Sequence, residues 1–216
     1  MSRVIIALTS ERGRSGKDTL VELLNEAGFE VHRVAFGDIL KRECAKVLTD
    51  DECARIVMES HCHTDLKDAA FEELSIENIP ESDYRFWLMS LWGDWYLPRS
   101  PRWHLQQYGT GYRRNHLGEP DVWLNEGLRE ISKAPEGKLI VVTDMRQANE
   151  YLSLEGLGAH LVRLSRDWKI EAVDSAPLHA TDIELRDHKM DAVVINRWGF
   201  REDMLTQLRD QGVITL

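Results

Sequence analysis

Unbroken runs of apolar residues, rather than alternating ones, are the clearest pattern in this chain. Five runs rich in Val, Ile and Leu occupy residues 3–9, 31–36, 138–143, 160–165 and 192–196. Such runs are typical of parallel strands that are buried on both faces of a sheet. Helical patterns separate them, at about residues 17–27, 38–48, 121–133, 147–156 and 200–210. Because strand and helix alternate, the sequence predicts a doubly wound α/β fold, with a five-stranded, mostly parallel sheet and helices on both faces.

One region interrupts this alternation. Residues 50–115 contain no convincing strand but carry helical patterns and many aromatic residues, among them Tyr84, Phe86, Trp87, Trp92, Trp95, Tyr96, Trp103 and Tyr108. We predict a single domain in which this helical insertion covers the carboxyl edge of the sheet, where ligands bind in open α/β folds. The aromatic side chains either form the core of the insertion or, in one or two cases, stack on a base.

Composition narrows the classes of function. The chain has 216 residues, of which 43% are hydrophobic, enough for a full core. No apolar run approaches the roughly 18 residues of a membrane span, and no signal-peptide pattern precedes the first strand. Three cysteines are an odd number, so we expect free thiols in a reducing cytoplasm. A formal net charge of −10 argues against stable nucleic-acid binding, although a local group of arginines can still hold a small anion.

The most specific chemistry follows the first predicted strand. Residues 10–19 form a small, basic, glycine-containing loop that opens into a helix at Lys17. The N–H groups of such a loop and the positive end of the helix dipole point at one spot, beside a lysine ammonium. This layout predicts a polyphosphate site of the P-loop type, in which Lys17 reaches the β- and γ-phosphates. The anion nest is predicted to consist of Gly13, Arg14, Ser15 and Gly16.

Two positions depart from the common pattern G-x-x-x-x-G-K-[ST]. Glu11 stands where the first glycine belongs, and Asp18 stands where the Mg²⁺-binding hydroxyl is usual, with Thr19 one place later. We expect Thr19, or Thr19 with Asp18, to meet Mg²⁺ directly or through water. Asp18 could instead be a carboxylate that favours the start of a helix.

Four blocks, in order along the chain, resemble the phage-type deoxynucleoside monophosphate kinases, a family of P-loop nucleotide kinases. They are Arg14-Ser15-Gly16-Lys17-Asp18-Thr19, Ala35-Phe36-Gly37-Asp38-Ile39-Leu40-Lys41, Leu105-Gln106-Gln107-Tyr108-Gly109-Thr110 with Arg102 and Arg113-Arg114, and Val142-Thr143-Asp144-Met145-Arg146-Gln147-Ala148-Asn149-Glu150. Gly-Lys-Asp-Thr is this family's own form of the loop, so Asp18 agrees with the resemblance. The ending, Thr181-Asp182-Ile183-Glu184-Leu185 through residues 191–196, is also similar.

The resemblance implies that the chain transfers the γ-phosphoryl of ATP, with Mg²⁺, to a deoxynucleoside 5′-monophosphate. It implies the cytoplasm as location, of the infected host if the chain is phage-encoded. It suggests a homodimer, whereas the aromatic insertion could equally be an internal core. By resemblance Lys41 touches the acceptor phosphate, and a solvated helix-face lysine is the alternative.

Three arginines, Arg102, Arg113 and Arg114, lie close to Gln106 in the sequence. The guanidinium fork suits a monophosphate dianion, and neighbouring arginines are unfavourable without an anionic partner. We expect at least one of Arg113 and Arg114 to bind the acceptor. Gln106 either reads a base edge or caps a turn.

The ends of two further predicted strands complete the candidate site. Asp144 and Arg146 end the third strand, where an acid orders the Mg²⁺ shell or the acceptor; a structural Asp–Arg pair is the alternative. Arg163 and Arg166 end the fourth strand, before an irregular stretch, about residues 167–180, that could act as a lid. We expect one of them, Arg166 ahead of Arg163, to stabilise the transferring phosphoryl group. The predicted catalytic residues are therefore Lys17, Asp144 and Arg166.

Three functions remain open on this sequence. The first is the monophosphate kinase. The second is a P-loop kinase acting on a hydroxymethylated base in DNA, which the acidic balance disfavours. The third is a nucleotide-binding regulator without turnover, which Glu11 keeps open. A metal site at His61-Cys62-His63 is not predicted, because no second ligand pair at zinc-like spacing accompanies it.

Overall fold

The computed structural model describes residues 4–175 and 183–215. Its centre is a parallel sheet of five strands: β1 (Ile5–Thr9), β2 (Val31–Val34), β3 (Leu139–Val142), β4 (His160–Arg166) and β5 (Ala192–Asn196). They lie side by side in the order β2-β3-β1-β4-β5. All four neighbouring pairs are parallel. The α/β fold and the five predicted strands are therefore confirmed.

The five helices predicted between the strands are confirmed, with small shifts at their ends; further helices lie in the insertion, and a short one, Glu171–Asp174, lies in the stretch predicted to be irregular. They are α1 (Lys17–Glu26), α2 (Phe36–Leu48), α3 (Glu52–His61), α4 (Asp83–Leu91), α5 (Pro101–Gln106), α6 (Val122–Lys133), α7 (Ala148–Gly156), α8 (Glu171–Asp174) and α9 (Asp203–Asp210). Short 3₁₀ turns occur at Asp65–Asp68 and Glu72–Leu74, and a π-helix at Gln107–His116. β2 ends at Val34, two residues before the predicted end. Phe36 is already the first residue of α2, and its N–H donates to the Asp144 carboxylate.

Alternate residues of the central strands point to opposite faces of the sheet, and both sets are buried. On one face Ile6, Leu8 and Val141 pack with the apolar side chains of α1 and α9. On the other face Ala7 and Ile140 have no exposed surface. This double burial explains why the strands read as unbroken apolar runs.

Side chains from α9 close the outer edge of β5. Gln207 bonds both the N–H and the C=O of Ile195, at 2.8 and 2.9 Å. Gln211, one helical turn later, bonds the N–H and the C=O of Val193, at 3.0 and 2.9 Å. Each amide thus takes the hydrogen-bonding place of a residue in a further strand.

The chain divides into two compact units, one of residues 1–36 and 127–216 and one of residues 37–126. The first holds the sheet. The second is helical. Among its described residues, two extended segments meet in one isolated bridge, between Phe71 and Arg99. The unit borders fall inside α2 and α6.

An aromatic cluster fills the second unit. The Tyr84 ring is 1% exposed and meets the rings of Tyr108 and Tyr112 with centroids 5.1 and 5.4 Å apart. Other aromatic side chains of the unit, such as Phe86 and Tyr96, are exposed. Part of the aromatic set is therefore core.

A buried histidine joins three elements of the same unit. The Tyr84 hydroxyl, on α4, lies 3.0 Å from Nδ1 of His104 on α5, and Nε2 of His104 lies 2.8 Å from the Leu74 carbonyl. The Leu74 carbonyl can only accept, so Nε2 carries the proton and Nδ1 accepts from the tyrosine. Burial lowers the pKa of His104 to about 4, against a smaller opposing effect of the Leu74 hydrogen bond, so the imidazole is neutral near pH 7.

Two expectations from composition, on the cysteines and on membrane-spanning segments, can be compared with the structure. Cys44 and Cys62 are buried, Cys53 is exposed, and all three are free thiols, as expected. Over the ranges 4–175 and 183–215, no helix is both long and apolar enough to cross a membrane.

Candidate phosphate-binding site

The loop between β1 and α1 contains two residues with the left-handed backbone that is common in anion-binding nests. Arg14 and Gly16 both adopt left-handed conformations, with φ of 57° and 99°. Successive residues that depart from the extended conformation in this way turn neighbouring N–H groups toward one point. Gly16 precedes the first residue of α1, so the positive end of that helix faces the same region.

Asn196, the last residue of β5, contacts the loop and supports its backbone. Its side-chain amide is buried and donates to the Ser15 carbonyl at 3.2 Å. A Cβ on Gly16 would collide with this amide. Only glycine therefore fits between the loop and β5 without a shift of Asn196.

Ser15 adds a polar atom that points to a ligand. The side chain is 3% exposed, and its Oγ has no hydrogen-bond partner within the part of the chain that the structure describes. A buried hydroxyl without a partner is unfavourable by about 1–3 kcal/mol. Bound phosphate is an acceptor that would relieve this cost.

Lys17 occupies the first turn of α1, with its ammonium against the Ser10 hydroxyl. Ser10 Oγ in turn donates to the Arg12 carbonyl at 3.1 Å. The Lys17 ammonium at the end of the loop is thus linked through Ser10 to the backbone at its start.

Oxygen donors for Mg²⁺ lie beside the lysine. The Asp18 side chain is 82% exposed and its carboxylate lies 3.7 Å from the Arg33 guanidinium. Thr19, half-buried, follows on the same turn. Hydroxyl and carboxylate oxygens are the ligands that Mg²⁺ prefers, so these two residues fit the ion.

Asp144 joins the ends of two strands. Its Oδ1 accepts the Phe36 N–H at 2.9 Å, which ties the chain after β3 to the chain after β2. Arg146, two residues on, is exposed, and its N–H donates to the Glu150 carboxylate at 2.7 Å. Glu150 is 5% exposed and also accepts from the Gln147 N–H, so it caps α7.

Of the two arginines predicted to end the fourth strand, Arg166 is the last residue of β4, whereas Arg163 lies in the middle of it, because the strand continues to residue 166. Both arginines are engaged. Arg166 forms a bidentate pair with Asp174 of α8, at 2.9 and 3.2 Å, with 6% of its side chain exposed. Arg163 donates to the carbonyls of Leu185 and His188. Of the lid predicted at about residues 167–180, residues 176–180 lie outside the described residues, as do Thr181 and Asp182.

Glu11 also has a partner. Its carboxylate lies 3.2 Å from the guanidinium of Arg186. The next loop residue, Arg12, donates to the carbonyl of Val173 at 3.2 Å. The loop is thus held from two sides by the segments that follow β4.

The predicted acceptor residues lie in the second unit. Lys41 pairs with Asp38 at 2.9 Å and lies 3.3 Å from His63. Arg102 pairs with Asp68 on the surface, and the hydrogen bond from this arginine lowers the pKa of that carboxyl. Gln106 is exposed.

Arg113 and Arg114 differ in their surroundings. Arg113 contacts Glu43 and lies 2.8 Å from Glu119, and its guanidinium lies 5.4 Å from the centroid of the Trp123 ring. Two carboxylates therefore already balance its charge. Arg114 is half-buried. Among the described residues, no group of three His, Cys, Asp or Glu side chains is arranged to hold a metal ion.

Several supporting residues were not predicted. Asn196, Glu150 and Arg186 act on the loop or on its neighbouring elements from other parts of the chain. The polar Asn196 at the end of an apolar run is a signal that could have been used. Nothing in the local sequence of Arg186 indicates its contact with residue 11.

No protein-family model matches the chain, and no curated protein matches its sequence significantly.

Proposed function

We propose that the protein transfers the γ-phosphoryl group of ATP to a deoxynucleoside 5′-monophosphate. The observation that carries this proposal is the loop at residues 10–16. Its left-handed Arg14 and Gly16, its buried, unpaired Ser15 hydroxyl and the adjacent Lys17 together suit a polyphosphate.

The roles at the donor end follow from the contacts. The N–H groups of residues 13–16 hold the β-phosphate, and the Lys17 ammonium leaves Ser10 to reach the β- and γ-phosphates. Thr19 and Asp18 hold Mg²⁺, which supplies charge neutralisation on the phosphate oxygens. Asp144 orders the chain after β2 and β3 and would supply a further carboxylate near a bound Mg²⁺.

Trp198 is the best platform for the donor base. It follows Asn196, which contacts the loop, by two residues, and it is 72% exposed. Its ring meets that of Trp168 edge-on, with centroids 5.4 Å apart, which fixes its orientation. Aromatic rings bind bases by stacking, largely without regard to base identity.

The acceptor phosphate belongs to the basic residues of the second unit. Arg102 is the most accessible of the paired cations there, since 49% of its side chain is exposed and its partner Asp68 is exposed too. A phosphate dianion can displace such a surface carboxylate at little cost. Lys41 and Arg114 complete the cationic set, Gln106 reads the base, and Arg113 acts mainly by ordering Tyr108 and Trp123.

The test is ADP production from Mg·ATP with each of the four deoxynucleoside monophosphates, a hydroxymethylated pyrimidine monophosphate, and no acceptor. We expect acceptor-dependent turnover, and the preferred acceptor names the base. ATP hydrolysis that is independent of acceptor would contradict the proposal. The proposed reaction belongs to deoxynucleotide synthesis in the cytoplasm, of the infected host if the chain is phage-encoded.

One observation favours a second candidate, a nucleotide-binding regulator without turnover. Arg166, the predicted catalytic arginine, is buried in its pair with Asp174. ATP binding that depends on Lys17, without ADP formation for any acceptor, would favour this function.

A further inference from the structure

The contact between Glu11 and Arg186 places a carboxylate on the rim of a loop built for anions. The Glu11 Oε2 and the Arg186 Nη2 lie 3.2 Å apart, and 38% and 47% of the two side chains are exposed. Glu11 directly follows Ser10, which holds the Lys17 ammonium. A polyphosphate in the loop would therefore be repelled by Glu11 and attracted by Arg186.

The turn that carries Arg186 does not depend on Glu11 for its position. Arg163 donates to the carbonyls of Leu185 and His188, at 2.5 and 3.4 Å. Glu184 accepts the Ala148 N–H at 2.8 Å. With these anchors on both sides, Arg186 stays beside the loop when its carboxylate partner changes.

A third anchor completes the turn. The Tyr151 hydroxyl, on α7, donates to the Lys189 carbonyl at 2.9 Å, and the Tyr151 and His188 rings meet edge-on. Arg163 of β4 and Tyr151 of α7 thus hold residues 184–189 in place. These contacts fix the backbone that carries Arg186 independently of its ion pair with Glu11.

The two arginines of β4 are committed elsewhere. Arg166 is buried against Asp174, and Arg163 is used to hold the turn. Arg186, in contrast, is half-exposed in a pair of the kind that contributes about 0–1 kcal/mol, so its guanidinium is released at little cost.

We propose that Glu11 is a placeholder for phosphate, and that Arg186 leaves it to bind a phosphate oxygen of the nucleoside triphosphate held by the loop. The inference rests on the proposed function, since it takes ATP as the ligand of the loop. It explains the glutamate at a position where a glycine is usual. Glu11 balances the charge of Arg186 in the empty protein and opposes ATP binding until the exchange occurs.

Equilibrium binding of ATP, measured by calorimetry without an acceptor, tests this exchange. We expect Arg186→Gln to weaken ATP binding about five- to tenfold, as for loss of one partly exposed charge–phosphate contact. We expect Glu11→Gln to tighten it by a factor of about two to five, because a repulsive charge and a competitor are removed. Arg186→Lys, which keeps the charge but loses the fork, falls between wild type and Arg186→Gln.

The chain offers a matched control pair. Arg201 and Glu26 form an ion pair with the same 3.2 Å separation and similar exposure, at the far end of α1 from the loop. Arg201→Gln and Glu26→Gln should leave ATP affinity unchanged. Thermal unfolding of all variants confirms that the fold is retained.

The outcomes separate this inference from the proposed function. If ATP binds to the wild type in a Lys17-dependent way but Arg186→Gln binds it equally well, or Glu11→Gln binds it more weakly, the exchange is wrong and the phosphate loop stands. If the wild type binds no ATP, both proposals fall.

Discussion

Gly16 meets two constraints that no other residue type satisfies together. Its φ of 99° disfavours any side chain, and the Asn196 amide occupies the space of a Cβ. Gly28, just after α1 and with φ of 93°, meets only the first constraint, because nothing lies within 4 Å of the position of its Cβ. The two glycines therefore separate backbone strain from crowding.

We predict that Gly16→Ala removes ATP binding, whereas Gly28→Ala leaves it close to wild type. Each loses about 1–2 kcal/mol of unfolding free energy to the left-handed conformation, and Gly16→Ala loses more because Asn196 must move. Chemical denaturation and calorimetry measure the two effects. Equal losses of unfolding free energy and of ATP affinity in both variants would show that Asn196 does not support the loop.

A second prediction at this scale concerns the lysine. Lys17→Ala should lower the rate of phosphoryl transfer roughly 10³-fold, since its charge stabilises the transferring group, and should leave the unfolding temperature nearly unchanged. Lys138→Ala is the control, because Lys138 pairs only loosely with Glu30, at 3.8 Å, next to the start of β3. Retention of activity in Lys17→Ala would exclude the proposed mechanism.

At the scale of elements, His104 links α4, α5 and the turn at Glu72–Leu74 as a neutral acceptor and donor. Its pKa falls from 6.5 to about 4 on folding, so the unfolded chain binds a proton more readily than the folded one. The stabilising contribution is present above pH 6.5 and is lost as the pH falls toward 4. The loss amounts to roughly 3 kcal/mol in the limit of full burial.

We therefore predict that urea unfolding at pH 7 and pH 4.5 shows a loss of stability that is smaller in His104→Gln. Glutamine can donate to the Leu74 carbonyl and accept from Tyr84 but does not titrate. A pH dependence that is the same in both proteins would show that other groups cause it.

The strands of the sheet could be predicted because burial on both faces determines which residue types they contain. A strand such as Ile5–Thr9, buried on both faces, needs apolar residues at every position, and the sequence shows this directly. The glycine at position 16 could be interpreted for a similar reason, since a left-handed position restricts residue types locally. The binding of phosphate by the loop and Lys17 stays a prediction.

The partners of charged side chains could not be predicted in the same way. The contact of Glu11 with Arg186 joins residues 175 positions apart, and that of Arg166 with Asp174 depends on the path of one short turn. Many carboxylates in this acidic chain could have served either arginine. The π-helix at Gln107–His116 also escaped, because its wider turn has no distinct apolar period.

At the scale of the whole molecule, the ladder of glutamine amides on β5 bears on how the protein behaves at high concentration. An open strand edge is a template for a strand from another copy, and this is a common start of aggregation. Gln207 and Gln211 occupy the outward N–H and C=O groups of Ile195 and Val193. The edge is therefore shielded by two side chains that are part of the fold itself.

We predict that the double variant Gln207→Leu and Gln211→Leu scatters light increasingly with concentration and recovers poorly from denaturant. Thr206→Leu with Asp210→Leu is the control, since it adds the same apolar groups at the same spacing on exposed positions of α9. Equal scattering by both would assign the effect to hydrophobicity alone. A difference would mean that two amides set the solubility of this protein, and that changes in helix α9 would shorten its shelf life without touching the loop at residues 10–16.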